Sequence, residues 1–246
     1  MSIVNLFVPC AMDMFSPLIP KSVISILEKL GDTVIYHPEQ TCCGRTLYYR
    51  GERDFAAELA KKMIDDLLDP QDIKRATIIP STDCSAYIRR YFKELLSNTV
   101  VPSELNGFVQ NVYDLSDYIV NVKGVNRLNN RFNARVYYFE SCSARNLYKL
   151  EDEPQMLLRN TEGLELITDE TVNNCCPGNL FFANMNPTVA DQIIEECVNR
   201  IYQLNVQYIT STDIECLQLM DAYIQTLNVN MEVIHIADIY NSEQVI

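Results

Sequence analysis

Apolar residues recur along this chain in two rhythms. Runs rich in β-branched residues at 3–8, 33–36 and 77–79 read as buried parallel strands, the second stopped by Pro38. Between the first two, residues 16–30 read as a helix opened by Ser16-Pro17. It closes at Gly31, where a left-handed C′ residue is wanted. Residues 53–69 carry apolar pairs at 55/56, 59/60, 63/64 and 67/68, the stripe of an amphipathic helix. Glu58 and Lys62 stand four apart on its polar side. Cys84 opens the helix after the third strand, and a short helix over 114–122 closes this half of the chain.

The second half replays the order. Residues 135–139 form a strand leading to Cys142, and Gly163 stands 132 positions after Gly31. Residues 164–167 lead to Cys175 and Cys176. The next helix repeats the paired rhythm at 189/190, 193/194, 197/198 and 201/202. Residues 207–210 precede Cys216 and a helix running to Leu227. The run 233–238 echoes 112–117, with the shift reduced to 121. Strands alternating with helices predict an α/β fold of two tandem pseudo-symmetric repeats with mainly parallel sheets. The expected units are 1–125 and 126–246, joined by a polar stretch over 123–133.

Composition narrows the class. A chain 48% hydrophobic and 22% charged can bury a sizeable core, and no apolar run approaches the roughly 20 residues of a membrane span. The opening residues lack the basic region of a signal peptide, which predicts a cytoplasmic protein whose thiols stay reduced. The net charge of −13 is uneven, −3 over 1–125 and −10 over 126–246. With no basic stripe, nucleic acid and anionic membrane are excluded as partners.

Eight of the nine cysteines form one pattern written twice. Cys10, the adjacent pair Cys42 and Cys43, and Cys84 recur as Cys142, Cys175, Cys176 and Cys216, shifted by 132 or 133. Each falls after an expected strand. In an open parallel sheet such positions converge at the carboxyl edge, where ligands bind. Four converging thiols in a reducing compartment suit a soft metal, zinc or an iron–sulfur cluster. Zinc favours short C-x₂₋₄-C knuckles, which this spacing lacks, whereas an adjacent pair can serve neighbouring irons of one cluster. The competing reading is that these are buried small hydrophobes, as cysteines often are. Cys197, on the apolar face of its helix where the first repeat has Met63, is read as core.

These residues resemble the cysteine-rich CCG-domain proteins, in the small two-repeat form of the lactate utilization protein A type. The resemblance rests on Val8-Pro9-Cys10-Ala11-Met12-Asp13-Met14-Phe15, on Gln40-Thr41-Cys42-Cys43-Gly44 and on Pro80-Ser81-Thr82-Asp83-Cys84. Asp114-Leu115-Ser116-Asp117-Tyr118-Ile119-Val120 and Asn174-Cys175-Cys176 extend it. It covers essentially the whole chain. Relatives include cysteine-rich subunits of heterodisulfide reductase, glycolate oxidase and anaerobic glycerol-3-phosphate dehydrogenase. The resemblance implies an iron–sulfur cluster, of the 4Fe–4S kind, held by the cysteines, and electron transfer inside a multi-protein oxidoreductase. The implied reaction is oxidation of a 2-hydroxy acid, L-lactate to pyruvate, with two partner proteins.

Departures weaken the second copy. The family's C-x-x-C begins with Ser81 in one repeat and Asp213 in the other, leaving four candidate ligands in each. Pro177 replaces the glycine after the second pair, Ser143 stands where many relatives have histidine, and Ile214 replaces a further cysteine. A cluster is therefore expected in the first repeat ahead of the second.

Other residues rank below the cysteines. His235 sits in an apolar run and is read as a core or edge histidine. Asp13 and Asp83 are read as helix caps, with tuning of the thiols as the alternative. Arg45 either lowers thiol pKa values or is solvated, and Tyr48-Tyr49-Arg50 either covers the site or simply packs. Neither G-x-G-x-x-G nor a P-loop occurs, so a nucleotide or flavin would reside on a partner, as would the small 2-hydroxy acid if the chemistry is done there. Two alternatives stay open: metal-free thiol–disulfide exchange at the vicinal cysteines, and a non-catalytic scaffold with degraded sites.

Overall fold

The computed structural model describes residues 2–168 and 180–243, with Leu180 and Phe181 as backbone only. Cys175, Cys176 and Pro177 lie outside the described residues. Among the described residues, eight strands form two four-stranded parallel sheets. The first holds β1 (Ser2–Leu6), β2 (Asp32–Tyr36), β3 (Thr77–Ile79) and β4 (Val112–Asp114) in the order β2-β1-β3-β4. The second holds β5 (Arg131–Tyr138), β6 (Glu162–Ile167), β7 (Tyr208–Ser211) and β8 (Glu232–His235) in the order β6-β5-β7-β8.

This order explains where a site can form. The chain steps from β1 out to β2, then back across β1 to β3, so connections diverge at the carboxyl end of β1. Leu6 pairs with Tyr36 on one side and Ile78 on the other, which keeps the three strand ends level. Right-handed crossovers then set the two connecting helices on opposite faces. Ile19–Lys29 packs Val23, Ile26 and Leu27 against Val4 and Leu6. Arg53–Leu67 packs Ala60, Met63 and Ile64 against Phe7 and Ile79.

Several local expectations shift. The helix expected over 16–30 begins only at Ile19 and runs to Lys29, because Pro20 suits a helix start and not a helix interior; a separate short helix, Cys10–Phe15, precedes it. On the next helix Lys62 pairs with Asp66, and Lys61 with Asp65, at the spacing expected for Glu58 and Lys62. The short closing helix is Leu115–Asp117 running into a wider π-helical turn, Tyr118–Val122. β5 begins at Arg131, inside the stretch read as the join. Helix Pro102–Gln110 was not anticipated.

The two repeats share a core. Met12, Ile26, Leu115 and Ile119 from the first half pack in one cluster with Val136, Leu157, Ile214, Ile239 and Tyr240 from the second. Ser22 Oγ donates to Asp238 Oδ1 at 2.6 Å across the same seam. A fully buried aliphatic side chain contributes about 1.5–3 kcal/mol, so exposing a handful here would cost on the order of 10 kcal/mol.

Candidate functional site

Cys10 begins the short helix after β1, Cys42 and Cys43 lie in the loop after β2, and Cys84 lies in the first turn of helix Thr82–Leu95 after β3. The level strand ends bring all four together. Cys10 Sγ lies 3.5 Å from Cys42 Sγ, and Cys43 Sγ lies 3.5 Å from Cys84 Sγ. Cys42 and Cys43 interact through their side chains, which links the four sulfurs into one run. Exposure falls along it, from exposed Cys10 through half-buried Cys42 to buried Cys43 and Cys84.

Gly44 makes the turn that holds the pair. Its φ of +89° is left-handed, and a Cβ there would lie 3.1 Å from the Ala56 carbonyl oxygen. The Gly44 N–H points back at Cys42 Sγ, 3.4 Å away. The Cys10 S–H, then the Cys43 S–H, the Gly44 N–H and the Arg45 charge hold the Cys42 thiol well below its usual range. Hydrogen bonding to Cys42 and burial push Cys10 and Cys43 up. Of these three thiols, Cys42 is the one whose neighbours favour the thiolate form.

Arg45 is buried, not solvated. It pairs with Glu215 of the second repeat and lies 3.5 Å from Asp83 Oδ2. Asp83, expected as a cap, is instead buried in the first helical turn, where Ser143 Oγ also donates to it. The two residues replacing the family's extra cysteine meet each other: Ser81 Oγ donates to Asp213 Oδ1 at 3.3 Å. Asp213 further accepts the Asp83 N–H at 2.6 Å and the Ser141 hydroxyl. Burial, then the nearby Asp83 charge, push the Asp213 carboxyl well above its usual range. A polar network thus joins the two cysteine-bearing edges. Its members were visible as single residues, but nothing in the spacing marked Arg45 and Glu215 as partners.

Tyr48, Tyr49, Tyr87 and Tyr91 group at centroid distances of 4.6 to 6.5 Å, and Tyr48, Tyr87 and Tyr91 pack in the core cluster that also holds Cys43 and Cys84. The Tyr87 hydroxyl is buried with no hydrogen-bond partner among the described residues. Burial above all pushes its pKa up.

Of the second quartet, Cys142 is half-buried at the start of the π-helical turn Ser143–Tyr148. Cys216 is buried in helix Ile214–Ile224 and is disulfide-bonded. Cys197 is buried in a separate core with Ile194, Val198 and Ile201, as its helical position predicts. His235 is buried, caps the helix Ile236–Tyr240 by accepting from the Ala237 N–H, and burial lowers its pKa to about 4.

Among the described residues, no group of three or more His, Cys, Asp or Glu side chains is spaced to hold a single metal ion. A cluster sets a different requirement, because it offers several irons and its thiolates ring a volume. Four soft donors in one run with a buried cation beside them offer the donor chemistry such a group would use. Among the described residues no helix is long and apolar enough to cross a membrane.

Comparisons place this arrangement. The chain is 29% identical to lactate utilization protein A of Geobacillus kaustophilus, covering 97% of this chain and 98% of the relative. It is 28% identical to lactate utilization protein A of Bacillus pumilus, covering 97% and 99%. The crystal structure of a hypothetical protein from Helicobacter pylori shares the fold, with a TM-score of 0.58 at 16% identity. That match covers 97% of this chain and 48% of the other. A family profile for the cysteine-rich CCG domain matches residues 4–89 and again 136–221, the two spans that carry the cysteine-bearing strand ends described above. The chain belongs to the CCG cysteine-rich domain family and carries that domain twice.

Proposed function

We propose that this chain is the cluster-binding redox member of a multi-protein system that oxidises a 2-hydroxy acid, L-lactate to pyruvate. The observation that carries the reading is the run of four thiols at one sheet edge, Cys10, Cys42, Cys43 and Cys84. The substrate follows the name of the relatives. In this reading the first quartet holds a 4Fe–4S cluster. Cys142, Cys175, Cys176 and Cys216 form the second, lesser site, available once Cys216 is reduced. An iron–sulfur cluster supplies a one-electron acceptor whose potential answers to nearby charge and hydrogen bonds. Arg45 favours thiolate at the vicinal pair, and the tyrosines exclude water from its inner side. Lactate oxidation releases two electrons and two protons. With no nucleotide fingerprint in the chain, that chemistry belongs to a partner in the cytoplasm.

Iron and acid-labile sulfide are expected after anaerobic purification, and Cys43→Ala should remove most of both. Absence of both from the wild-type protein would overturn the reading. A second reading is favoured by the 3.5 Å sulfur pairs and the stabilised Cys42 thiolate: metal-free dithiol–disulfide exchange, in which two thiols give up two electrons and two protons. It requires rapid alkylation at Cys42, and slow, uniform labelling of all cysteines would exclude it.

A further inference from the structure

Two clefts occupy equivalent places in the repeats. One, of 540 Å³, lies between Arg89, Asp117 and Tyr148. The other, of 710 Å³, lies between Asp221, Asp238 and Ser16. The pairs Arg89 and Asp221, and Tyr148 and Ser16, are related by 132 positions; Asp117 and Asp238 by 121.

The first cleft is smaller, and an aromatic ring and a cation stand on its wall. The Tyr148 hydroxyl donates to Asp117 at 2.5 Å and accepts the Asp114 N–H at 2.9 Å. The Arg89 guanidinium stacks on the Tyr148 ring at 4.5 Å and pairs with Asp117 at 3.2 Å. An aromatic ring and a cation together narrow the gap between helix Thr82–Leu95 and the end of β4.

The second cleft lacks both. Serine stands for the tyrosine and aspartate for the arginine, while Phe15 and Leu18 on its lip are 61% and 68% exposed. Neighbouring Met14 is 70% exposed. Among the described residues the charged side chains lining this cleft, Asp221 and Asp238, are both acidic. Burial lowers the His235 pKa to about 4, so that lining imidazole is neutral near pH 7. The fold therefore does not demand a wide apolar cleft here, since its own twin is narrower and lined by charged and polar side chains.

We infer that this cleft is the docking site for a partner chain that inserts an aromatic side chain flanked by Lys or Arg. The ring takes the place Tyr148 fills in the twin and packs on Phe15, Leu18 and Leu217. The cation takes the place of Arg89 and meets Asp221. The cleft starts at Phe15, the last residue of the six-residue helix that Cys10 opens, about 8 Å along its axis. A partner seated there lies beside the most exposed thiol of the run. This inference rests on the multi-protein reading above and names where one partner binds.

A photo-reactive benzoylphenylalanine substituted for Leu18 tests it, with the same residue substituted for Lys149 in the smaller, polar cleft as control. Irradiation of intact cells using lactate, followed by peptide mapping, should join position 18 to a different polypeptide, at an aromatic residue next to Lys or Arg. Asp221→Lys should lower that yield about fivefold or more. No cross-link, a cross-link within this chain or to a second copy, one to a segment without a basic residue, or equal yield from position 149 would overturn the inference. Iron measured in the same preparations separates the two readings. Iron without the cross-link sinks only the docking site, and the cross-link without iron sinks only the cluster.

Discussion

The two repeats agree in sheet order and differ at several positions where they touch. At one aligned position the first repeat has Ser81 and the second Asp213, and these two hydrogen-bond to each other. At another, β4 ends in Asp114 and β8 in His235, and both cap the helix that follows by accepting the N–H two residues on. Where the first repeat sends Arg45 across the seam, the second answers with Glu215. An internal duplication begins with identical surfaces meeting at the axis, and like charges would repel there. Divergence has converted that self-contact into complementary pairs. The asymmetry is therefore part of how the molecule holds together, and each half has become the other's binding partner.

The largest test of this view removes the cation. Arg45 is buried between Asp83 and Glu215, so Arg45→Met leaves two carboxylates without their counter-charge. Losing one partner of a buried ion pair costs about 3–5 kcal/mol. Urea unfolding should show a loss of that size. Adding Glu215→Gln and Asp83→Asn should recover more than half of it. A loss under about 1 kcal/mol would mean that the cross-seam pair is incidental.

The two caps offer a second, opposing pair. Burial raises Asp114 to about 7, partly offset by hydrogen bonds from the Thr82 hydroxyl and the Ser116 N–H. A raised carboxyl pKa means the folded state keeps a proton that the unfolded chain gives up. Its stabilising contribution is present below the ordinary value of 3.8 and is lost as pH rises through about 7. Burial lowers His235 from 6.5 to about 4, so its contribution is present above 6.5 and lost as pH falls through about 4. Between those limits the two slopes oppose. Asp114→Asn should make stability climb more steeply from pH 4 to 7. His235→Asn should make it fall over the same range. Each change should amount to no more than about 3 kcal/mol. Parallel profiles for the two variants would break the comparison.

How much of this could be read beforehand depends on the range of the interaction. Strands at 77–79 and 33–36 were legible because β-branched runs flanked by turn residues signal themselves locally. Gly31 and Gly163 were legible as a repeated left-handed position, with φ of +83° and +78°. Convergence of Cys10, Cys42, Cys43 and Cys84 followed from parallel topology alone. Helix Pro102–Gln110 was missed because Gly107 breaks its propensity; the glycine sits where a Cβ would be 3.0 Å from the Ile73 carbonyl oxygen. Asp83 was misread as a cap because aspartate at a helix start is usually one, and only the approach of Arg45 and Ser143 makes it a buried acceptor. The seam contacts of Asp83 with Asp213 and of Arg45 with Glu215 join residues 130 and 170 apart, and no local pattern carries them.

The smallest expected effect sharpens the line between cysteines placed for chemistry and cysteines placed for packing. Cys197 occupies the helical position of Met63 in the first repeat, and each is buried in its own half's core. Cys197→Ala removes one buried sulfur from among Ile194, Val198 and Ile201, a loss close to that of a buried methyl group, about 1 kcal/mol. Cys43 is just as buried, yet its sulfur faces Cys84 at 3.5 Å. Burial alone would rank Cys43 and Cys197 together. Chemistry ranks them apart: Cys197→Ala should lower the unfolding midpoint slightly and leave iron content unchanged, while Cys43→Ala should change iron content far more than stability. Should Cys197→Ala also strip the iron, burial in a core would no longer mark a structural cysteine in this fold.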